Sequence, residues 1–247
     1  MPAALNDRKL QRLEIDAVDA WDRRITMLHK VAREALLFCV FMLLPFSTAL
    51  AGETASPSML SDTCLGCHGP GGISDGPATP TISGMSEVYI IAAMLAYKYD
   101  NDEDKVEAII EADPDLEDVE FFARTSTVMD RIAKGYSEAE IKVIAKHFAN
   151  LPFVAAEQDV NKKQAKAGAE IHENHCEKCH ENGGSSAEDD AGVLAGQWIP
   201  YLEYTMADFE SGDRAMPKKM KKQMKDAHAA YGDNSVADLI QFYAGQK

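Results

Sequence analysis

Four of the chain's five cysteines fall in two phrases of one grammar, TCLGCHGPGG at 63–72 and HCEKCHENGG at 175–184. Each has two cysteines separated by two residues, with a histidine directly after the second. Cys64, Cys67 and His68 map onto Cys176, Cys179 and His180 at a constant offset of 112 residues. Three chemistries use such a pattern. A dithiol redox centre expects an adjoining β-α-β pattern, and no segment here shows strand alternation. A structural zinc site takes thiolate pairs but gathers two of them into one compact module, whereas each pair here heads its own half. Covalent haem attachment uses the pattern directly. The two thiols add to the haem vinyl groups as thioethers, and the adjacent imidazole reaches the iron from the same turn. The phrases therefore point to two haem c groups, attached through Cys64, Cys67, Cys176 and Cys179, with His68 and His180 as axial iron ligands.

A six-coordinate haem iron needs a second axial ligand, commonly Met or His. In the first half Met129 is placed for this, on a loop just before a capped helix; Met59, Met85 and Met94 fall on or near earlier helices. In the second half RAMPKKMKKQMKDAH offers Met216, Met220 and Met224, with His228 as a bis-histidine alternative. A gap-free alignment of the halves equates Met129 with Met224 and Tyr136 with Tyr231. Three methionines at i, i+4 and i+8 equally describe one face of a helix. The Pro80 carbonyl could restrain the outer nitrogen of His68, and Gly192 holds the comparable place for His180. His172 and His175, ahead of the second cysteine pair, read as surface residues or neighbours of haem propionates.

These ligands need elements to position them. Each half reads as a helix entering the cysteine pair, a Gly/Pro-rich loop, a middle helix, a Met-bearing segment and a final helix. Ser137 with Glu140 forms a capping box for the final helix of the first half. Its apolar face is Ile141, Ile144, Ala145 and Phe148, matched in the second half by Val236, Leu239, Ile240 and Tyr243, with the i, i+3, i+4, i+7 spacing of a helix. A linker begins near Leu151-Pro152. The fold class is all-α, in two similar domains at 52–153 and 154–247. One stretch breaks the symmetry: residues 100–120 hold 11 acidic residues and one lysine, which reads as a solvated extra loop or helix.

Residues 1–51 read as a leader. Arg33 precedes an apolar run from Ala35 to Leu44 that closes on Ala49-Leu50-Ala51, a small-x-small cleavage pattern. The run is about half of the ~20 residues a membrane span requires, so export with cleavage after Ala51 is expected, with no span in the mature chain. Cys39 leaves with the leader, and translation from Met27 would make that leader compact. The chain's formal net charge of −15 argues against nucleic acid and anionic membranes as partners. A lysine cluster, Lys218, Lys219, Lys221, Lys222 and Lys225, stands out against it. No nucleotide-binding Gly-rich fingerprint is present, so flavin is not expected on this chain.

Taken together, CLGCHGPGGISDGPATPTISGM, VMDRIAKGYSEAEI, GAEIHENHCEKCHENGG and LAGQWIPYLEYTMADF resemble the dihaem cytochrome subunit of flavocytochrome c sulfide dehydrogenase. More loosely they resemble the other tandem class I dihaem cytochromes c. The resemblance spans nearly all of 57–247. It implies two class I cytochrome c domains related by a pseudo-twofold, and a periplasmic complex with an FAD flavoprotein that oxidises sulfide. Electrons would pass from flavin through the haems to an external acceptor such as a soluble cytochrome, with no substrate chemistry on this chain. The family's Arg-x-Met phrase matches Arg214-Ala215-Met216, which makes Met216 the expected second ligand of the second iron. A free-standing dihaem carrier between respiratory complexes is the alternative.

Overall fold

The helices begin where side chains satisfy their first amides. Ser56 caps α1 (Pro57–His68), accepting from the Met59 amide, and Ser86 caps α2 (Glu87–Lys98), accepting from that of Tyr89. Asp102 caps α3 (Glu103–Ala112) through the Lys105 amide. The capping box of Ser137 and Glu140 forms and opens α4 (Glu138–Ala149). In the second half Asn161 caps α5 (Lys162–His175), and α6 (Ile199–Ser211) closes on the left-handed Gly212. Helix α7 (Lys218–Tyr231) follows Pro217, and α8 (Ser235–Ala244) ends the chain. The computed structural model describes residues 55–188 and 191–247, with Trp21, Met27 and Lys30. Apart from those last three, the leader at 1–51, its cleavage point and Cys39 lie outside the described residues. Among the described residues there is no strand beyond one isolated bridge, and no helix is long and apolar enough to cross a membrane.

Two apolar cores form, one per cysteine phrase. Ile141, Ile144, Ala145 and Phe148 of α4 are all buried against Leu60 of α1 and Ile91 and Leu95 of α2. Leu239, Ile240 and Tyr243 of α8 pack with Ile171 of α5 and Leu202 of α6; Val236 is half-buried at the edge. Helices α5 and α8 cross closely at Gly168, where an added Cβ would lie 2.1 Å from the Asp238 carbonyl oxygen. The offset of 112 residues persists in the loops. The Ile82 and Ser83 amides donate to Gly72 O (2.9 and 3.2 Å), and those of Leu194 and Ala195 to Gly184 O (2.9 and 3.0 Å). The Gly84 amide then reaches Phe148 O, as that of Gly196 reaches Tyr243 O. Both Gly72 and Gly184 have positive φ, and a Cβ on either would strike the aromatic ring of its own final helix.

The acidic segment takes the helical one of its two expected forms and keeps most of its surface in solvent, but it is also anchored from beneath. It folds as α3 followed by a 3-10 turn, Pro114–Leu116, and buries Val106, Leu116 and Val119 in the first core. Lys142 of α4 donates to both Asp113 (2.7 Å) and Asp115 (3.1 Å). The Asn101 side chain accepts from the Arg124 amide at 2.7 Å. Its carboxylates coat an outer face while its apolar residues close the core beside α2.

The halves meet along a polar seam. The buried Gln197 side chain pairs with the Thr81 backbone, accepting from its N–H (3.0 Å) and donating to its carbonyl (2.9 Å). Trp198 donates from Nε1 to Ser74 O at 3.0 Å. The segments ahead of Met129 and Met216 pair antiparallel at Arg124 and Arg214. There the Thr125 amide reaches Asp213 O (3.0 Å) and the Ala215 amide reaches Ala123 O (2.7 Å).

Candidate functional site

In the first half, the last turn of α1 carries Cys64, Cys67 and His68. Cys67 is exposed and Cys64 half-buried, and burial pushes the Cys64 thiol up. His68 is buried and donates from Nδ1 to Pro80 O at 2.9 Å. That bond assigns the proton to Nδ1 and leaves the Nε2 lone pair for a metal. Burial also holds the imidazole below its ordinary pKa, against the opposing pull of the Pro80 carbonyl, so it is neutral and fit to ligate. Met129 begins the helical turn Met129–Ile132, its amide donating to Ser126 Oγ (3.2 Å), and its half-buried side chain packs against the same core as Cys64. Met85 and Met94 are buried in that core, and Met59 is exposed.

The second half builds the same unit with one bond missing. Cys176 ends α5, and the Cys179 and His180 amides both return to Cys176 O at 3.0 Å. Cys176 is half-buried, with its thiol raised by burial, and Cys179 is exposed. His180 is pulled down to about 4, first by burial and then by the charges of His172 and Arg214. Its Nδ1 is buried and has no partner among the described residues, so Gly192 does not supply what Pro80 supplies to His68. Met216 is half-buried in an extended segment between Arg214 and Pro217. Met220 and Met224 lie half-buried on α7, where Met224 packs into the second core with Cys176. His228 is exposed and faces Asp233 at 3.6 Å.

His172 is not a surface residue. It is buried between α5 and α8, bonded through Nδ1 to Tyr243 Oη (3.0 Å) and through Nε2 to Glu177. Its apolar neighbours are Phe242 and Tyr243 on α8, so it serves as a core histidine. His175 is half-buried and meets Gln223 Oε1 at 3.2 Å.

Sequence reasoning missed the seam cluster. Arg124 and Arg214 both donate to Tyr89 Oη, at 3.3 and 3.2 Å. Burial alone would raise the Tyr89 phenol, but the two guanidinium charges pull it down to about 7. Tyr201 lies 112 residues beyond Tyr89 and is raised to about 12 by burial and by Tyr89. The shared offset, and an arginine shortly before each candidate methionine, were the available signals.

These residues fit haem c. All four thiols are free, each pair shares one turn with a neutral, shielded imidazole, and each turn sits on its own core. Among the described residues no three His, Cys, Asp or Glu side chains converge as a metal-ion site.

Residues 163–231 match the family model for cytochrome c oxidase, cbb3-type, subunit III. The cytochrome subunit of sulfide dehydrogenase from Chlorobaculum tepidum is 38% identical over 113 residues, 42% of this chain and 82% of that protein. The thiosulfate dehydrogenase electron acceptor of Thiomonas intermedia is 25% identical over 203 residues, 78% of this chain and 81% of that protein. The fold is similar to cytochrome c4 from Pseudomonas stutzeri, with a TM-score of 0.56 at 20% identity, covering 77% of this chain and 97% of that one.

Proposed function

The chain belongs to the family of cytochrome c subunits of sulfide dehydrogenase, and from that premise we propose that it is a two-haem electron-transfer subunit serving an FAD flavoprotein that oxidises sulfide. The observation that carries this is the doubling of one unit: two separate Cys-x-x-Cys-His turns, one with a buried and one with a half-buried imidazole, both lowered in pKa by burial, each on its own core. Cys64 and Cys67 hold one haem and Cys176 and Cys179 the other. His68 and Met129 would hold the first iron as its axial ligands, and His180 and Met216 the second. Haem bound there would supply one-electron ferric/ferrous chemistry. The protein's part is to fix the imidazoles, exclude water and hold the two sites in one frame. Residues 1–51 are a leader removed after Ala51, and 52–153 and 154–247 are the two cytochrome domains, working in the periplasm. Electrons leave to an external acceptor such as a soluble cytochrome.

Met216 is supported by position. It follows Arg214 out of the paired segments as Met129 follows Arg124, and it is spared from the second core that Met224 helps to fill. One observation favours Met224 instead. Tyr136 bonds Thr63 just before Cys64, and Tyr231 bonds Asn174 just before Cys176, which keeps Met129 and Met224 in register. Met216→Ala should remove half of the near-infrared band of methionine-ligated ferric haem; retention of the full band, with loss in Met224→Ala, would move the ligand to Met224.

The similarity to the thiosulfate dehydrogenase electron acceptor of Thiomonas intermedia supports a second reading, a carrier that works without a bound flavoprotein. Purification from the native host decides between them. The mature protein should weigh two haems more than its polypeptide and co-elute with an FAD subunit, and sulfide should reduce it only in that complex. Elution alone, with reduction by a separate dehydrogenase, would establish the carrier.

A further inference from the structure

The second Cys-x-x-Cys-His turn lacks two restraints that hold the first. Cys64, Cys67 and His68 lie within α1, whose backbone bonds fix their spacing. In the second half α5 ends at His175, and residues 176–179 form turns instead of helix. His68 is tied to the Pro80 carbonyl, whereas the buried Nδ1 of His180 finds no partner among the described residues.

The second half has instead a chain of bonds that the first half does not use. At the 112-residue offset Leu60 and Leu65 become His172 and Glu177. Phe148, whose carbonyl takes the Gly84 amide, gives way to Tyr243, whose carbonyl takes that of Gly196. Leu60, Leu65 and Phe148 all belong to the first apolar core. In their place the buried His172 bonds Tyr243 Oη through Nδ1 (3.0 Å) and Glu177 through Nε2. Glu177 turns its other oxygen to the Asn182 amide at 3.1 Å. Asn182 and Gly183 there carry the left-handed backbone that redirects the chain just beyond His180. Tyr243 sets its ring edge-on to that of His180, centroids 6.4 Å apart, and its hydroxyl bonds Cys176. The contacts thus close around His180, from its ring through Tyr243, His172 and Glu177 to the turn that follows it.

A polar group buried in a helix crossing costs stability unless it is bonded, and the first half fills the same place with leucine at no such cost. Packing alone does not call for the exchange. We propose that Tyr243, His172 and Glu177 are the positioning set of the second haem site. They take over from helix and carbonyl the task of orienting His180, and so give that haem an axial-imidazole geometry of its own. This rests on the two-haem reading above. Bonds behind a ligating imidazole fix its ring orientation, and a fully bonded buried network is rigid and unique.

The test reads each site separately in the intact ferric holoprotein. Haem-methyl proton resonances report the orientation of the axial imidazole, and each set is assigned through the protons of its own Cys-x-x-Cys-His residues. The variants are His172→Leu combined with Glu177→Leu, which rebuilds the apolar pair of the first half, then Tyr243→Phe, Glu177→Ala and Glu177→Gln, with haem content and helicity checked first. The leucine pair, Tyr243→Phe and Glu177→Ala should each shift the second haem's methyl resonances and midpoint potential and leave those of the first in place. Glu177→Gln keeps an oxygen for the Asn182 amide and, with the other His172 tautomer, a bond to the ring; it should stay close to wild type. Unmoved second-haem resonances in the leucine pair and in Tyr243→Phe, with both haems attached, would reduce the triad to core packing and overturn the proposal. Equal shifts at both haems would also overturn it. So would a Glu177→Gln variant that moves as far as Glu177→Ala, because the effect would then belong to the carboxylate's charge. Absence of covalent haem in the wild type would overturn the two-haem reading instead. Should the leucine pair not fold, Tyr243→Phe and the two Glu177 variants decide by the same criteria.

Discussion

Gln197→Glu tests whether the seam is dry. Gln197 and Thr81 are buried at 0% and 1% exposure, and the amide both accepts from and donates to the Thr81 backbone. Its Nε2 also reaches Val193 O at 3.3 Å. Glutamate keeps the shape and the acceptor but, when ionised, has no donor. It would then face two carbonyl oxygens with a negative charge. Protonation restores the donor, so the folded protein should hold that proton tightly. A buried carboxyl is raised by up to 3–5 units; a rise of about 2–3 units, at 1.36 kcal/mol each, gives roughly 3–4 kcal/mol. The folded pKa lies above the unfolded value of about 4.3, so the native state binds more protons in between and stability falls as pH rises through that window. Below about pH 4.3 the variant should approach wild type; only above the folded pKa, by about pH 7.5–8, should it have lost the full amount. Wild-type glutamine does not titrate, so the difference between the proteins isolates this group. For a unit of this size, 1 kcal/mol moves Tm by about 2–4 °C, giving a gap on the order of 10 °C at pH 7.5. Thermal unfolding of both holoproteins between pH 5 and 8 measures it. A gap that stays flat across that range would mean that residue 197 is hydrated and the seam is not the sealed joint described.

Gly168→Ala should destabilise by about 1–3 kcal/mol in denaturant unfolding despite the ~1 kcal/mol helix-propensity gain, because the new methyl meets the Asp238 backbone at 2.1 Å. Gly135→Ala, which meets nothing within 4 Å, is the control, and equal behaviour would refute the close crossing. Leu116→Ala should cost about 2–4 kcal/mol, read from the denaturant midpoint; a change under roughly 0.5 kcal/mol would return the acidic segment to a solvated surface. Tyr99→Phe should release Glu138, whose carboxyl the Tyr99 hydroxyl holds below the ordinary range. An upward move of the Glu138 titration by NMR checks it, and no movement would deny the bond.

Periodicity carried the parts of the fold that rest on local contacts. The face of α4 and its capping box were legible because spacing and cap lie within one helix. The acidic segment was legible as a solvated loop or helix, but composition hid its anchors: Val106, Leu116 and Val119 sit among 11 acids and look solvated in any average. His172 misled because a lone histidine before a cysteine pair gives no hint of partners on α8. The seam was out of reach for another reason. Thr81 and Gln197 are 116 residues apart, and nothing in either local sequence names the other. The methionine register of the second half stays divided because α7 stands between two anchors. The Arg214 bridge fixes one side of α7 and the Tyr231 contact the other, and each carries a different methionine into the place of Met129.

The seam also explains why the repeat is not two independent cytochromes joined by a linker. Passing an electron between two centres demands a fixed gap, because the rate falls steeply with distance. An apolar joint would hold the halves but could slide, since burial is not directional. The joint here is made of directional bonds that start at the candidate ligands themselves. Pro80 accepts from His68, and its neighbour Thr81 is clamped by Gln197. The Met129 segment is pinned from one side by Asn101 of the acidic insert and from the other by the Arg214 segment that leads to Met216. Displacing one half would therefore break bonds beside both candidate ligand sets rather than merely exposing surface between them. That arrangement ties the position of each ligand set to the other and gives the acidic insert a structural task, as the brace behind the first of the two methionine segments.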